Sequence, residues 1–230
     1  MKLCFDWHKT NKVQLISSLL AWIKQQDFSH FHLLYSGGPK NSYPLPHTYD
    51  LLFGARISNS AICSSLSELA DFSKSKTCFG FLSYDLKNQI EDLDSINDSY
   101  FSNQELLFYE ADFFISINIA GELSIISNDE RLEKSAINIF SSIKFEKDYI
   151  GRNSEANDVL FTSEVSDDVY LQNVKAIQSE IIEGNVYEMN YCRNYRAEAE
   201  IDPFIFFSQL AEENPSPYSC LIKTEDQLAD

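Results

Sequence analysis

Apolar residues recur at helical spacing in five stretches and alternate in several others. Leu15, Ile16, Leu19, Leu20 and Ile23 form one face of a predicted helix from about Lys12 to Gln26, with Trp22 at its flank and Thr10 or Asn11 as the cap. Ser64 to Phe72 and Glu130 to Ser142 predict two more helices. Ser166, Asp167 and Asp168 place a cap and two acids at the start of another, where the helix dipole favours them. Tyr170, Val174, Ile177 and Ile181 are its apolar stripe, and Gly184 stands at its C-terminal stop. Asp202 and Pro203 cap and open a further helix, with Phe204, Phe207, Leu210 and Ala211 on its buried side.

Period-two stretches predict strands. His30 to Tyr35 alternates Phe31, Leu33 and Tyr35 against His30, His32 and Leu34, and Tyr49 to Ile57 follows after a Gly- and Pro-rich loop from Gly37 to His47. Thr77 to Tyr84 is a strand in which Gly80 allows close backbone approach. Asp112 to Ile119 and Leu123 to Ser127 flank Ala120, Gly121 and Glu122, a hairpin signature. Val186 to Glu200 reads as a long strand. Tyr218 to Thr224 reads as another, and Gln227 to Asp230 as the start of its returning partner. A strand that stops there leaves an open edge, so the 230 residues are expected to be the front part of a longer protein. Gln89 to Asn103 is polar and acidic, a surface loop. Lys144 to Phe161 has little periodicity and is the best domain boundary: 1–150, a linker over 151–165, and 166–230.

Composition narrows the function. The chain is 44% hydrophobic with 17 Phe and 12 Tyr, ample for a packed core. Eighteen Lys and Arg against 35 Asp and Glu give a net charge of −17, which argues against nucleic acid and anionic membrane as partners. A small anionic substrate stays open, because a local basic pocket or a cation can reverse the field in a cleft. The five cysteines (Cys4, Cys63, Cys78, Cys192 and Cys220) are odd in number and lack a Cys-x-x-Cys pair. Reduced thiols are the expectation, and with no signal pattern or membrane-length apolar run the expected location is the cytoplasm. His30 and His32 share a strand face at a spacing that can ligate a metal. No nearby Cys or His completes a set, so core histidines are expected.

The most constrained stretch is Asn214-Pro215-Ser216-Pro217-Tyr218-Ser219-Cys220. Both prolines fix φ near −65° and bias Asn214 and Ser216 away from helix. Asn214 is expected to take the left-handed cap of the preceding helix. Such a loop serves equally as a stiff connector or as a preorganised hold for a small ligand.

Four stretches together carry a resemblance: Leu33-Leu34-Tyr35-Ser36, Gly80-Phe81-Leu82-Ser83-Tyr84-Asp85-Leu86, Ile181-Ile182-Glu183-Gly184-Asn185-Val186-Tyr187-Glu188-Met189-Asn190, and Asn214 to Tyr218. In this order they resemble the chorismate-utilising enzymes, component I of aminodeoxychorismate synthase and of anthranilate synthase. Gly37 after Ser36, and Tyr49-Asp50-Leu51, look more like the aminodeoxychorismate branch. The loop between Ser36 and Tyr49 is longer than in that family, and Ser83 stands where it carries Gly.

The resemblance implies an α+β fold of two large, mostly antiparallel sheets packed face to face with flanking helices, truncated here at the C-terminus. It implies conversion of chorismate and ammonia, supplied by a glutamine amidotransferase subunit, to aminodeoxychorismate for folate synthesis. The alternatives are anthranilate synthase component I and a non-catalytic tryptophan-binding module. It also implies an aromatic amino-acid pocket for tryptophan lined by Ser36, Pro217, Tyr218 and Ser219, with Pro46, His47, Thr48 and Tyr49 beside them. Glu188 and Asn190 are implied as supporting residues. The catalytic residues and the Mg²⁺ ligands are expected beyond Asp230, so this chain alone is expected to be inactive.

Overall fold

A computed structural model describes residues 2–3, 11–37, 48–57, 61–74, 77–93, 105–142, 159–225 and 227–229. In chain order the elements are β1 (Lys2–Leu3), α1 (Lys12–Gln25), β2 (His30–Tyr35), β3 (Tyr49–Arg56), β4 (Ile62–Cys63), α2 (Leu66–Phe72) and β5 (Cys78–Leu82). A 3₁₀ turn at Tyr84–Leu86 and α3 (Lys87–Ile90) lead to β6 (Leu106–Glu110), β7 (Phe113–Asn118), β8 (Leu123–Ser127) and α4 (Glu130–Ser142). Then come β9 (Thr162–Ser163), α5 (Asp167–Ile182), β10 (Tyr195–Arg196), α6 (Pro203–Glu213), β11 (Ser219–Thr224) and β12 (Gln227–Ala229). The class is α+β with antiparallel sheets and flanking helices. Among the described residues the sheets have seven, three and two strands.

Two compact units divide the chain. The first holds Met1–Ile150 and Asp202–Asp230, the second Gly151–Ile201. In the first, the seven-stranded sheet runs β1-β8-β7-β3-β2-β11-β12. Alternation decides its faces. Phe31, Leu33, Leu51, Phe53, Ala55, Phe113, Ile115, Ile117, Leu123, Ile125 and Leu221 point to one side and are buried against Leu15, Ile16, Leu19, Leu20 and Ile23 of α1. Trp22, read as a flank, is buried too, and packs edge-on against Phe28 and Phe53. Asn11 caps α1 by accepting the Gln14 amide.

Helix α1 also ties its two neighbours down. Trp22 Nε1 donates to Ser135 Oγ of α4 at 2.9 Å, Ser17 and Ser208 of α6 share a hydroxyl bond at 2.8 Å, and Lys24 pairs with Asp202 at 2.5 Å. Asp202 is the N-cap of α6 as expected, accepting from the Phe204 and Ile205 amides. Phe207 is buried, and Phe204 and Ala211 pack on the core. Leu210, expected on the same side, is 44% exposed, because four residues at helical spacing span a wider arc than α1 covers.

The opposite face of the large sheet carries the three-stranded sheet β4-β6-β5. Its own small core is Cys63, Leu86 and Leu106, with Leu69, Phe72 and Phe108 packed against it, separate from the main core. The two sheets meet at a seam of rings: Phe79 and Tyr109 from β5 and β6 against His30, His32 and Phe114. Gly54 makes this close approach possible: a Cβ there would lie 2.3 Å from the Phe79 ring. Gly80 serves the small sheet itself, where a Cβ would lie 2.1 Å from the Leu107 carbonyl of neighbouring β6.

The second unit is small. Ser166 caps α5 through the Val169 amide, and Gly184 ends it at φ +79°, both as the sequence indicates. Arg193 pins the unit: its guanidinium reaches Ser163 Oγ and Asp167, both at 2.6 Å, and lies over the rings of Tyr170 and Tyr195. The long strand expected over Val186 to Glu200 is not formed. Only Tyr195–Arg196 pair, with Thr162–Ser163, and Tyr187 is 94% exposed. Alternation makes a strand only where another backbone accepts its hydrogen bonds, and among the described residues nothing pairs with 186–194.

The expected boundary segment lies largely outside the described residues. No helix among them is long and apolar enough to cross a membrane. None of the four described cysteines is in a disulfide.

Gly54→Ala tests the seam. The added methyl meets a buried ring, and we expect a loss of about 1–3 kcal/mol, read as a lower midpoint in urea unfolding.

Candidate functional site

Three neighbouring strands bring the predicted site residues to one end of the large sheet. β2 ends at Tyr35, β3 begins at Tyr49 and β11 begins at Ser219, the last two each antiparallel to β2. Ser219 stands opposite Tyr35, and Tyr35 stands opposite Leu51. Beyond β2 the chain is held from both sides: the Ser36 amide donates to the Asp50 carbonyl and the Gly37 amide to the Ser216 carbonyl, each at 2.9 Å. Leu33-Leu34-Tyr35-Ser36 and the proline loop therefore lie side by side.

The proline loop itself is made by local chemistry. α6 stops at Glu213, and the Asn214 amide bonds to the Leu210 carbonyl. Asn214 does not take the left-handed conformation expected of it: its φ is −132°. Pro215 pushes the residue before it toward extended backbone, and that restriction outweighs the capping preference of Asn. Ser219 Oγ donates to the Ser216 carbonyl across the turn at 3.4 Å. Pro217 is half-buried, and Tyr218 is 62% exposed.

Thr48 and Tyr49 sit at the start of β3, both exposed. The Thr48 carbonyl accepts the Ile119 amide. Pro46 and His47 lie outside the described residues. Glu188 and Asn190 are exposed residues of the second unit and stand in irregular chain rather than in a strand.

One residue at this end escaped the sequence reading as a site residue. Asp50 is only 2% exposed although it is an acid on a strand. It stands where the register between β3 and β7 shifts, Tyr49 facing Asn118 and Leu51 facing Ile117. A bulge of this kind re-aims the side chain it carries. Burial, and then the Asp50 carboxylate, push the Tyr35 phenol up to about 12. Gly37 fits over that phenol because it has no side chain; a Cβ there would lie 2.7 Å from the Tyr35 ring. The signal that could have found Asp50 is a lone acid at the head of an otherwise apolar strand, Tyr49-Asp50-Leu51-Leu52-Phe53.

Chemically, this end combines a buried carboxylate, a tucked phenol, serine hydroxyls at Ser36 and Ser219, and the flat surfaces of Pro217 and Tyr218. That set suits a small ligand with a flat apolar body and a polar end. Among the described residues no three His, Cys, Asp or Glu side chains group as a metal ion would need.

The sequence profile of the chorismate binding enzymes matches residues 45–228. The chain belongs to the chorismate binding enzyme family. No curated protein sequence matches it. Among solved structures, anthranilate synthase component I from Streptococcus pneumoniae TIGR4 is similar over 82% of this chain, at 16% identity and a TM-score of 0.49. The match covers 44% of that protein, so the chain spans less than half of its length.

Tyr35→Phe gives a test of the electrostatics at this end. Its phenol is raised from 10 to about 12 in the folded state, so the folded protein holds a proton there that the unfolded chain gives up. That contribution is present below pH 10 and is lost as pH rises toward 12. Urea stability measured from pH 9 to 12 is expected to fall more steeply in the parent than in Tyr35→Phe, by about 2–3 kcal/mol across the window.

Proposed function

We propose that the polypeptide carrying this chain is component I of an aminodeoxychorismate synthase. It takes chorismate and ammonia, the ammonia delivered by a glutamine amidotransferase subunit, and forms 4-amino-4-deoxychorismate. The observation that carries the reading is the side-by-side placement of Leu33–Ser36 and Asn214–Ser219 in a chain of the chorismate binding enzyme family. Two features favour the aminodeoxychorismate branch over anthranilate synthase. Gly37 follows Ser36 and fits against Tyr35, and Asp50 follows Tyr49 and is buried.

In this reading the present residues build an amino-acid pocket and the chemistry is done by residues after Asp230. The pocket takes tryptophan or a similar aromatic amino acid. Pro217 and Tyr218 offer flat surfaces to the ring, and Ser36 and Ser219 offer polar groups to the ionic end. Its place at the join of two distant parts of the chain suits either a regulatory ligand or a permanently bound structural one. Magnesium, when bound, supplies positive charge to the substrate carboxylate and the departing hydroxyl. No described group of residues fits that ion. A lysine beyond Asp230 is the proposed nucleophile: its amine adds at chorismate C2 as the C4 hydroxyl leaves as water, and ammonia then adds at C4 as the lysine–C2 bond breaks and the amine is regenerated.

The test uses the whole encoded polypeptide, including whatever follows Asp230, with chorismate, Mg²⁺ and ammonium. The reading expects aminodeoxychorismate as product, with no pyruvate released. Anthranilate together with pyruvate would move the protein to the other branch. No consumption of chorismate at all would overturn the enzymatic reading.

A further inference from the structure

The seam between the two sheets of the first unit holds a histidine in an unusual position. His32 is 1% exposed. Its Nδ1 lies 3.0 Å from the Tyr109 hydroxyl, and that hydroxyl donates its only proton to the Gly54 carbonyl at 2.9 Å. The Tyr109 oxygen must then accept from His32 Nδ1–H. This fixes the tautomer and leaves Nε2 as the nitrogen with the lone pair. Nε2 is buried and has no hydrogen-bond partner among the described residues.

The surroundings of the imidazole are mostly apolar. Phe79 lies against it from β5 and Tyr109 from β6. Ile222 of β11 and Gly54 of β3 are its cross-strand neighbours. The titratable or charged groups on this side are His30 on its own strand, Arg56 opposite His30 on β3, Tyr109 on β6, and Cys220 further along β11. No carboxylate stands among them. A proton on Nε2 would therefore place an ionic N–H in a seam where no described residue offers it an acceptor.

We propose that His32 is an acid-operated latch between the two sheets, whose protonation releases the three-stranded sheet β4-β6-β5 while the seven-stranded sheet stays folded. The asymmetry follows from the packing. The large sheet keeps its core on the far side, against α1, α4 and α6. The small sheet has a separate core of its own with α2, and is joined to the large one through the ring seam. Opening that seam is the least disruptive way to let water reach the imidazolium. Burial, with a smaller effect from His30, holds the imidazole at about 4 in the closed state, against 6.5 when free. Closure is therefore at full strength above pH 6.5 and weakens as pH falls from there toward 4.

Amide hydrogen exchange on the 230-residue chain, expressed as protection corrected for intrinsic rate, tests this between pH 7 and 4.5. Amides of β5 and β6 are expected to lose protection on the order of fiftyfold, ahead of those of β2, β3 and β7. His32→Leu fills the seam without a titrating group and is expected to abolish most of that extra loss. His30→Gln is expected to retain it. Equal loss in both sheets of the parent, or no loss in the small one, would overturn the proposal without any variant. So would an undiminished pH response in a folded His32→Leu protein.

Discussion

The structure depends on one backbone pairing, β2 with β11. β2 lies deep in the large sheet and needs partners on both edges. β3, close behind it in the chain, supplies one; β11, from the far end, supplies the other. Joining segments so distant in sequence costs loop-closure entropy, though that cost grows only slowly with separation. The contacts that offset it are specific. Leu33 and Leu221 are cross-strand partners and both fully buried, and α6 brings Ser208 to Ser17 and Asp202 to Lys24 just before β11 begins. The pairing that closes the core also sets Ser36 beside Ser216 and Ser219. Fold and candidate site therefore have the same cause.

The two faces of the large sheet are built differently. One is a wide apolar layer under three helices. The other meets a small sheet through aromatic rings, two histidines and Gly54, where there is no room for a side chain. The first face is governed by buried area. The second is governed by fit and by hydrogen bonds, where one polar atom without a partner matters.

Much of this was legible in the sequence because its causes are local. The Asn11 and Ser166 caps, the Asp202-Pro203 helix start, the Gly121 hairpin and the Gly184 stop each follow from one or two residues acting on their own backbone. What was not legible depends on partners. Val186 to Glu200 alternates well, but apart from Tyr195–Arg196 it finds no backbone to pair with among the described residues, so most of it remains irregular. Asn214 carries two conflicting local preferences, and only the structure tells which one prevails. Asp50 is buried by a register shift between strands that no single-strand pattern encodes. The meeting of Ser36 with the proline loop came from resemblance to a family, not from periodicity, since nothing local connects positions so far apart.

The end of β2 and the start of β11 together are the binding site proposed above. An NMR titration of the chain with tryptophan, following backbone amide shifts, tests it most directly. Saturable shifts are expected at Ser36 and Gly37 together with Tyr218 and Ser219, weakened in Tyr218→Ala. Shifts confined to one of the two segments, or none at millimolar tryptophan, would contradict it.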